Sequence, residues 1–176
     1  MYQEETKSKT CCFFGHRKVQ NAKEIENKVY NEVEKLITTK GVSIFLFGSK
    51  SEFDKLCINV VTALKEKYSY IMRIYVRAEY PYIDNVYKNY LCETYDDTYY
   101  PKHIEKAGKA VYVERNREMI NKSTYCVVYY NEDYASPKNE NDRDVMNSPH
   151  KSGTKLAYDF AEKNGNKIIN VYSLPL

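Results

Sequence analysis

The strongest constraint on the fold is a series of short, mostly apolar runs that alternate with amphipathic segments. Three such runs occupy residues 10–14, 42–47 and 72–77, and the first two are followed or closed by Gly15 and Gly48. Runs that are apolar throughout, rather than at every second position, are typical of parallel strands covered by helices on both faces. The order of strand, helix, strand, helix and strand predicts an α/β fold: a Rossmann-like three-layer sandwich with a mostly parallel sheet.

The segments between these strands carry apolar residues at helical spacing. One helix is predicted over 22–39, with Gly41 as its C-terminal stop, and another over 52–68, with Ser51 as its N-cap. The later elements predicted from the pattern are a helix over 83–93, a turn-rich connector over 94–101, a helix over 102–108, an extended segment over 110–113, a helical turn over 115–122, a strand over 125–130, a helix over 153–164 and a strand over 167–172.

A single domain accounts for nearly the whole chain. A sequence of 176 residues that is 43% hydrophobic can bury a core of its own. We expect residues 1–9 to be a flexible N-terminal tail and residues 10–176 to form one domain. The polar segment 131–151 is longer than most connections, so we expect it to be either a lid or a disordered loop.

Composition excludes several classes of protein. The net charge of +3 is too small to argue for nucleic-acid binding. No apolar run reaches the roughly 18 residues of a membrane span, and no signal core precedes the first strand, so we expect a cytoplasmic protein that does not enter a membrane. Five cysteines without a CxxC motif predict buried thiols in a reducing compartment, and the three histidines lack metal-ligand spacing, so we expect no metal and no cofactor. Association into a homo-oligomer stays open.

Ligands of open α/β sheets bind beyond the carboxyl ends of the strands, and that rule selects the candidate site. Near residue 153 a helix begins, whose free amides attract an anion such as phosphate. Arginine can pair with phosphate through two nitrogens, and a tyrosine such as Tyr80 or Tyr82 can stack on a base. The candidate ligand-binding residues are Gly15, His16, Arg17, Gly48, Ser49, Tyr80, Ser152, Gly153 and Thr154, with Arg115 and Arg117 as countercharges.

Carboxylates near the predicted strand ends are the candidates for chemistry. Glu79, Asp54 and Asp133 could each hold a ribose hydroxyl or act as a general acid or base. The sequence contains no GxGxxG, no phosphate-binding P-loop and no GxSxG motif, which argues against a standard NAD dehydrogenase, an NTPase and a serine hydrolase.

Five short motifs follow one another along the chain: CFFGHR at 12–17, FLFGS at 45–49, YPY at 80–82, RNREMI at 115–120 and SGT at 152–154, the last followed by Ala157 and Ala161. In this order they resemble the SLOG superfamily, the Rossmann-like group of SMF/DprA and LOG proteins, and its YpsA-like branch in particular. The resemblance extends over about residues 10–173. It implies a nucleotide-sized pocket with phosphate near Gly153 and Thr154.

The resemblance also bears on activity. The hydrolase branch of the superfamily carries a catalytic glutamate three residues after the threonine of its glycine-rich motif, and here that position is Ala157. Asp54 matches an aspartate of the YpsA-like branch. We therefore expect a protein that binds a nucleotide or a nucleotide derivative, as a sensor or a ligand-sequestering module. The alternatives are a nucleoside N-glycosidase that uses Glu79 or Asp54 and, third, a protein that binds single-stranded nucleic acid.

Overall fold

The computed structural model describes residues 2–134 and 152–175, and its described strands form one parallel sheet. The strands are β1 (Thr10–Gly15), β2 (Ile44–Phe47), β3 (Met72–Val76), β4 (Asp97–Tyr99), β5 (Tyr125–Tyr129) and β6 (Lys167–Asn170). They lie in the order β4-β3-β2-β1-β5-β6, and each neighbouring pair is parallel. The predicted α/β fold with a parallel sheet is confirmed.

Helices cover both faces of this sheet. They are α1 (Tyr2–Ser8), α2 (Ala22–Lys40), α3 (Glu52–Lys67), α4 (Asn85–Cys92), α5 (Val111–Asn121) and α6 (Gly153–Lys163), with 3-10 turns at Lys102–Ile104 and Gly108–Ala110. The side chain of Phe13 packs with α2 and α3, whereas those of Cys12 and Phe14 pack with α5 and α6. Because β1 is apolar from Cys11 to Phe14, it can be buried on both faces, which produces the three layers.

Local sequence signals determine where the two long helices begin and end. α2 ends at Gly41, which has a φ of 66° and donates its amide hydrogen to the carbonyl of Leu36. α3 begins after Ser51, whose hydroxyl oxygen accepts a hydrogen bond from the amide of Asp54 at 3.1 Å. Both boundaries confirm the predictions made at these two residues.

The short strand β4 was predicted as part of a connector. Long-range contacts form it instead: the carboxylate of Asp96 accepts hydrogen bonds from the backbone of Arg73 at 2.8 Å and from its guanidinium at 3.1 Å. The hydroxyl of Thr98 donates to the carbonyl of Tyr75 at 2.8 Å. Each of these two pairs of residues is more than twenty positions apart in sequence, so no local sequence pattern predicts the strand.

Three further segments differ from expectation or lie outside the description. Residues 110–113 were predicted to be extended, but α5 begins at Val111 because a 3-10 turn leads directly into it. Within the segment that was expected to be a flexible tail, residues Tyr2–Ser8 form α1, after which the carbonyl of Lys9 accepts hydrogen bonds from Ser43 and Ile44. Of the polar segment 131–151, residues 135–151 lie outside the described residues.

The chain reverses its direction of progress across the sheet between β1 and β5. From β1 the strands progress to β4 on one side, and the chain then returns to place β5 on the other side of β1. The loops after these two central strands therefore diverge to opposite faces, which leaves a crevice at their carboxyl ends. None of the described helices is long and apolar enough to span a membrane.

Candidate functional site

A cleft of about 990 Å³ opens at this crevice, along the carboxyl edge of the sheet. This volume falls within the range of small-molecule sites. Loops that follow β1, β2 and β3 and the beginnings of α3 and α6 line it. The predicted residues that the structure brings together here are Gly15, His16, Arg17, Gly48, Ser49, Glu79, Tyr80, Arg115, Ser152, Gly153 and Thr154.

The lining of the cleft is predominantly basic. Among residues 2–134 and 152–175, two acidic side chains line it, those of Glu52 and Glu79. The basic side chains are Arg17, Lys18, Lys50, Lys55, Arg77 and Arg115. The N-termini of α3 and α6, which carry partial positive charge, lie at the same cleft. Positive charge is therefore concentrated at this cleft, although the whole chain has a net charge of only +3.

Arg115 forms part of the floor of the cleft. Its side chain is 3% exposed, and its Nη1 donates hydrogen bonds to the carbonyl of Gly48 and, at 3.2 Å, to that of Val76. A Cβ atom on Gly48 would collide with the guanidinium. Burial lowers the pKa of Arg115, but an arginine side chain in a protein stays protonated at neutral pH and keeps its positive charge. A fixed positive charge thus joins the loop after β2 to the end of β3.

Asp54 lies beneath the loop after β2 and does not line the cleft. Its carboxylate accepts hydrogen bonds from the backbone of Ser49 at 3.2 Å and from the hydroxyl of Ser51 at 2.7 Å. Burial raises the pKa of Asp54, against the hydrogen bond from Ser51 and the charge of Arg115, which lower it. The carboxylate shapes the loop, and its buried position does not suit it to the catalytic role that was one of its predicted options.

His16 is buried in the wall of the cleft. Its Nε2 lies 2.9 Å from the backbone nitrogen of Asn131, and its ring stacks on that of Tyr134 with centroids 3.9 Å apart. The same Nε2 lies 3.0 Å from the carbonyl oxygen of Asn131, while Nδ1 has no hydrogen-bond partner among residues 2–134 and 152–175. Burial lowers the pKa of His16, so the neutral ring holds the turn that follows β5.

The loop after β1 approaches the beginning of α3 closely. A Cβ atom on Gly15 would lie 2.5 Å from the Phe53 ring, so only glycine fits there. Arg17 is exposed at the cleft and accepts a hydrogen bond at its carbonyl from the amide of Glu52. Lys18 pairs with the carboxylate of Glu52 at 2.5 Å, a hydrogen bond that raises the pKa of Lys18 and lowers that of Glu52. The guanidinium of Arg17 is thereby presented to the cleft.

Arg77 fixes the loop that follows β3. Its Nη1 donates to the carbonyl of Tyr80 at 2.5 Å, and burial lowers its pKa. Tyr80 has a φ of 55°, a left-handed conformation that costs free energy in any residue with a side chain. The contact with Arg77 holds that conformation, and the aromatic rings of Tyr80 and Tyr87 line this end of the cleft.

Two of the predicted residues have surroundings that bear on their roles. The carboxylate of Glu79 accepts a hydrogen bond from the hydroxyl of Tyr112, and both residues line the cleft. At the beginning of α6 the hydroxyl of Ser152 accepts from the amide of Lys155 at 3.1 Å, while a Cβ on Gly153 would meet open space. The backbone at Gly153 is therefore open to a ligand.

Arg117 does not line the cleft, contrary to the prediction that it supplies countercharge there. It pairs with Glu114 at 2.6 Å and lies over the ring of Phe160. The reason is helical phase: residues two apart on a helix point about 200° apart, so Arg115 and Arg117 cannot face the same cleft.

Sequence reasoning missed several side chains of the cleft. Lys50 and Arg77 lie at or just after predicted strand ends, so the edge rule that selected their neighbours could have found them. Lys55 lies in the first turn of α3 and is not selected by that rule. Tyr112 gave no signal, because its segment was predicted to be extended. Within the described ranges no three His, Cys, Asp or Glu side chains cluster to hold a metal ion.

Comparison with known proteins leaves the site to be interpreted from its own geometry. No protein-family model matches the sequence, and no curated protein matches it significantly. The geometry nevertheless defines a class: an α/β domain with a basic cleft at the switch point of a parallel sheet.

Proposed function

We propose that the protein binds a nucleotide or a nucleotide derivative in this cleft, as a sensor or a ligand-sequestering module of the SLOG type, related to the YpsA-like branch. The observation that carries the proposal is the concentration of six basic side chains and two helix N-termini at the carboxyl edge of the sheet. An anionic ligand of moderate size would complement that charge, and phosphate is the group that such amides and guanidinium groups recognise best.

The number of basic groups supports a ligand with more than one negative charge. Arg77 and Arg115 are engaged by backbone carbonyls, and Lys18 is paired with Glu52. Arg17, Lys50 and Lys55 are exposed at the cleft and have no described ion-pair partner within 4 Å. A diphosphate can contact several of them at once, so it should bind more tightly than a monophosphate with the same base.

A thermal-shift and calorimetric series tests the proposal. The probes are AMP, ADP and ATP, the same series with guanine, and ADP-ribose, with inorganic phosphate as a control for charge alone. We expect an upward shift of Tm that grows from mono- to diphosphate, since a ligand at a hundred times its Kd adds about 2.7 kcal/mol of stability. An unchanged Tm with every nucleotide would contradict the proposal, and an equal shift with inorganic phosphate would reduce it to anion binding.

The second candidate is an N-glycosidase, and one observation favours it: Glu79 is a carboxylate that lines the cleft. Cleavage of a glycosidic bond passes through an oxocarbenium-like state and needs a carboxylate against the ribose. Ala157 is 3% exposed in the core on α6 and cannot supply one. We expect nucleoside monophosphates to stay intact on incubation, with no free base seen by chromatography. Base release that disappears in Glu79→Gln, with folding retained, would favour the enzyme.

A further inference from the structure

Glu79 differs in its surroundings from the other carboxylate of the cleft. Glu52 is neutralised by Lys18 at 2.5 Å. Glu79 has no ion-pair partner among residues 2–134 and 152–175, and its described side-chain contact is the hydroxyl of Tyr112. A carboxylate has about four lone-pair directions, so one phenol leaves acceptor capacity unused. In a cleft lined mainly by basic side chains, Glu79 therefore offers a carboxylate acceptor to a ligand.

The position of Glu79 along the sheet edge indicates which part of a ligand it would meet. The loops after β1 and β2 carry the exposed cations Arg17 and Lys50, and α3 begins beside them. The loop after β3, the next strand in the sheet, carries Glu79. The same loop carries Tyr80, and α4, which follows it, carries Tyr87. From β1 to β3 the edge thus presents exposed cations and then an acceptor accompanied by aromatic rings, which suits the phosphate at one end of a nucleotide and the ribose and base at the other.

We infer that Glu79 accepts hydrogen bonds from the ribose hydroxyls of the bound ligand and makes the site selective for ribonucleotides over deoxyribonucleotides. This inference rests on the proposed function. The physical basis is a difference between two ligands. A ribose can donate charge-assisted hydrogen bonds to the carboxylate from its 2′- and 3′-hydroxyls, whereas a 2′-deoxyribose lacks one of these donors and leaves part of the acceptor capacity unpaired near phosphates of like charge.

Calorimetry with paired nucleotides tests this role. The probes are ADP, GDP, CDP and UDP, each against its 2′-deoxy counterpart, with the wild type and Glu79→Ala. We expect the wild type to prefer at least one ribonucleotide by roughly 10- to 100-fold, the value of a hydrogen bond to a charged group. In Glu79→Ala the ratio of the affinity for the ribonucleotide to that for the deoxynucleotide should fall close to one. The ribonucleotide should lose affinity while the deoxynucleotide keeps or gains it, because a repelling charge is gone.

Two variants control for charge and for shape. Glu52→Gln removes the second carboxylate described at the cleft. It should change the affinities for the ribonucleotide and for the deoxynucleotide by the same factor, so that their ratio is unchanged. Glu79→Gln keeps one oxygen acceptor and should show an intermediate ratio. Binding without a ribose preference in the wild type, or a preference that survives in Glu79→Ala, would overturn the inference and leave the proposed function standing. Failure of the wild type to bind any nucleotide of the panel would overturn both.

Discussion

The guanidinium of Arg115 fills the space that a side chain on Gly48 would occupy, and it donates a hydrogen bond to the carbonyl of that same glycine. The two residues are 67 positions apart in the chain. A glycine at the end of β2 and an arginine on α5 are thus one structural unit. Neither can change without disturbing the other, because both belong to the floor of the cleft.

Replacing the glycine should therefore destabilise the fold. We expect Gly48→Ala to lower the free energy of unfolding by about 1–3 kcal/mol, the usual cost of overpacking a buried site. Denaturant unfolding measures the change. Gly153→Ala is the matched control, because a Cβ there meets nothing within 4 Å and stability should be nearly unchanged. Equal stability of the two variants would contradict this account of Gly48.

Loss of a phosphate contact should weaken binding without affecting stability. Arg17→Ala and Thr154→Ala should each reduce the affinity for a nucleoside diphosphate such as ADP by about 1.5–3 kcal/mol, the value of a charge-assisted hydrogen bond. Calorimetry checks this. Arg117→Ala removes an equal charge outside the cleft and should bind like the wild type. If the three variants lost affinity equally, general electrostatics rather than specific contacts would explain the binding.

Asp54 should make stability depend on pH in a defined direction. Because burial raises its pKa in the folded protein, the folded state binds a proton at Asp54 more readily than the unfolded state does. The ionised carboxylate therefore costs stability above the raised pKa, and this cost disappears as the pH falls through that pKa toward the ordinary value.

The variant Asp54→Asn isolates this effect, since an amide does not titrate but keeps an oxygen for the amide of Ser49. Denaturant unfolding of both proteins from about pH 7 to about pH 4 should show the wild type gaining stability relative to the variant as the pH falls. If the difference in free energy of unfolding between the two proteins did not depend on pH, the carboxyl of Asp54 would have the same pKa in the folded and the unfolded state.

The five cysteines should differ strongly in how fast they react with a thiol reagent, because one is exposed and four are buried. Cys92 is exposed on α4, whereas the other four are buried. Burial raises the pKa of Cys11 and Cys57, and the contact with Cys12 together with burial raises that of Cys126, so these thiols carry little thiolate. A thiol reagent should label one cysteine in the native protein and five after denaturation. Cys92→Ser should remove the fast phase, and rapid labelling in that variant would contradict the burial.

The sequence was sufficient for the central fold because the three central strands β2, β1 and β5 are buried along nearly their whole length and are built mainly of apolar residues. The runs at 10–14 and 42–47, followed or closed by Gly15 and Gly48, were predicted to be buried strands, and most of the candidate site residues line the cleft. The strand β4 could not be predicted from the sequence, because the contact between Arg73 and Asp96 that supports it is formed only in the folded chain.

Helical phase accounts for the charged residues of the site. Arg115 lies four residues before the buried Met119 and shares its face of α5, whereas Arg117 points away from that face. Asp54 lies three residues before the buried Cys57 and shares its face of α3. Helical spacing therefore indicates the face on which each of these residues lies, whereas the partners that its side chain meets there are set by the fold.

The pairing of β1 with β5 also has a consequence for the order in which the chain assembles. Cys11 lies opposite Tyr125, so the central strand acquires its second neighbour only after more than a hundred further residues have been synthesised. Until then, β1 presents an unpaired apolar edge, the kind of edge on which nascent chains aggregate. We expect fragments that end before residue 125 to be insoluble, and refolding of the full protein to be limited by the arrival of β5.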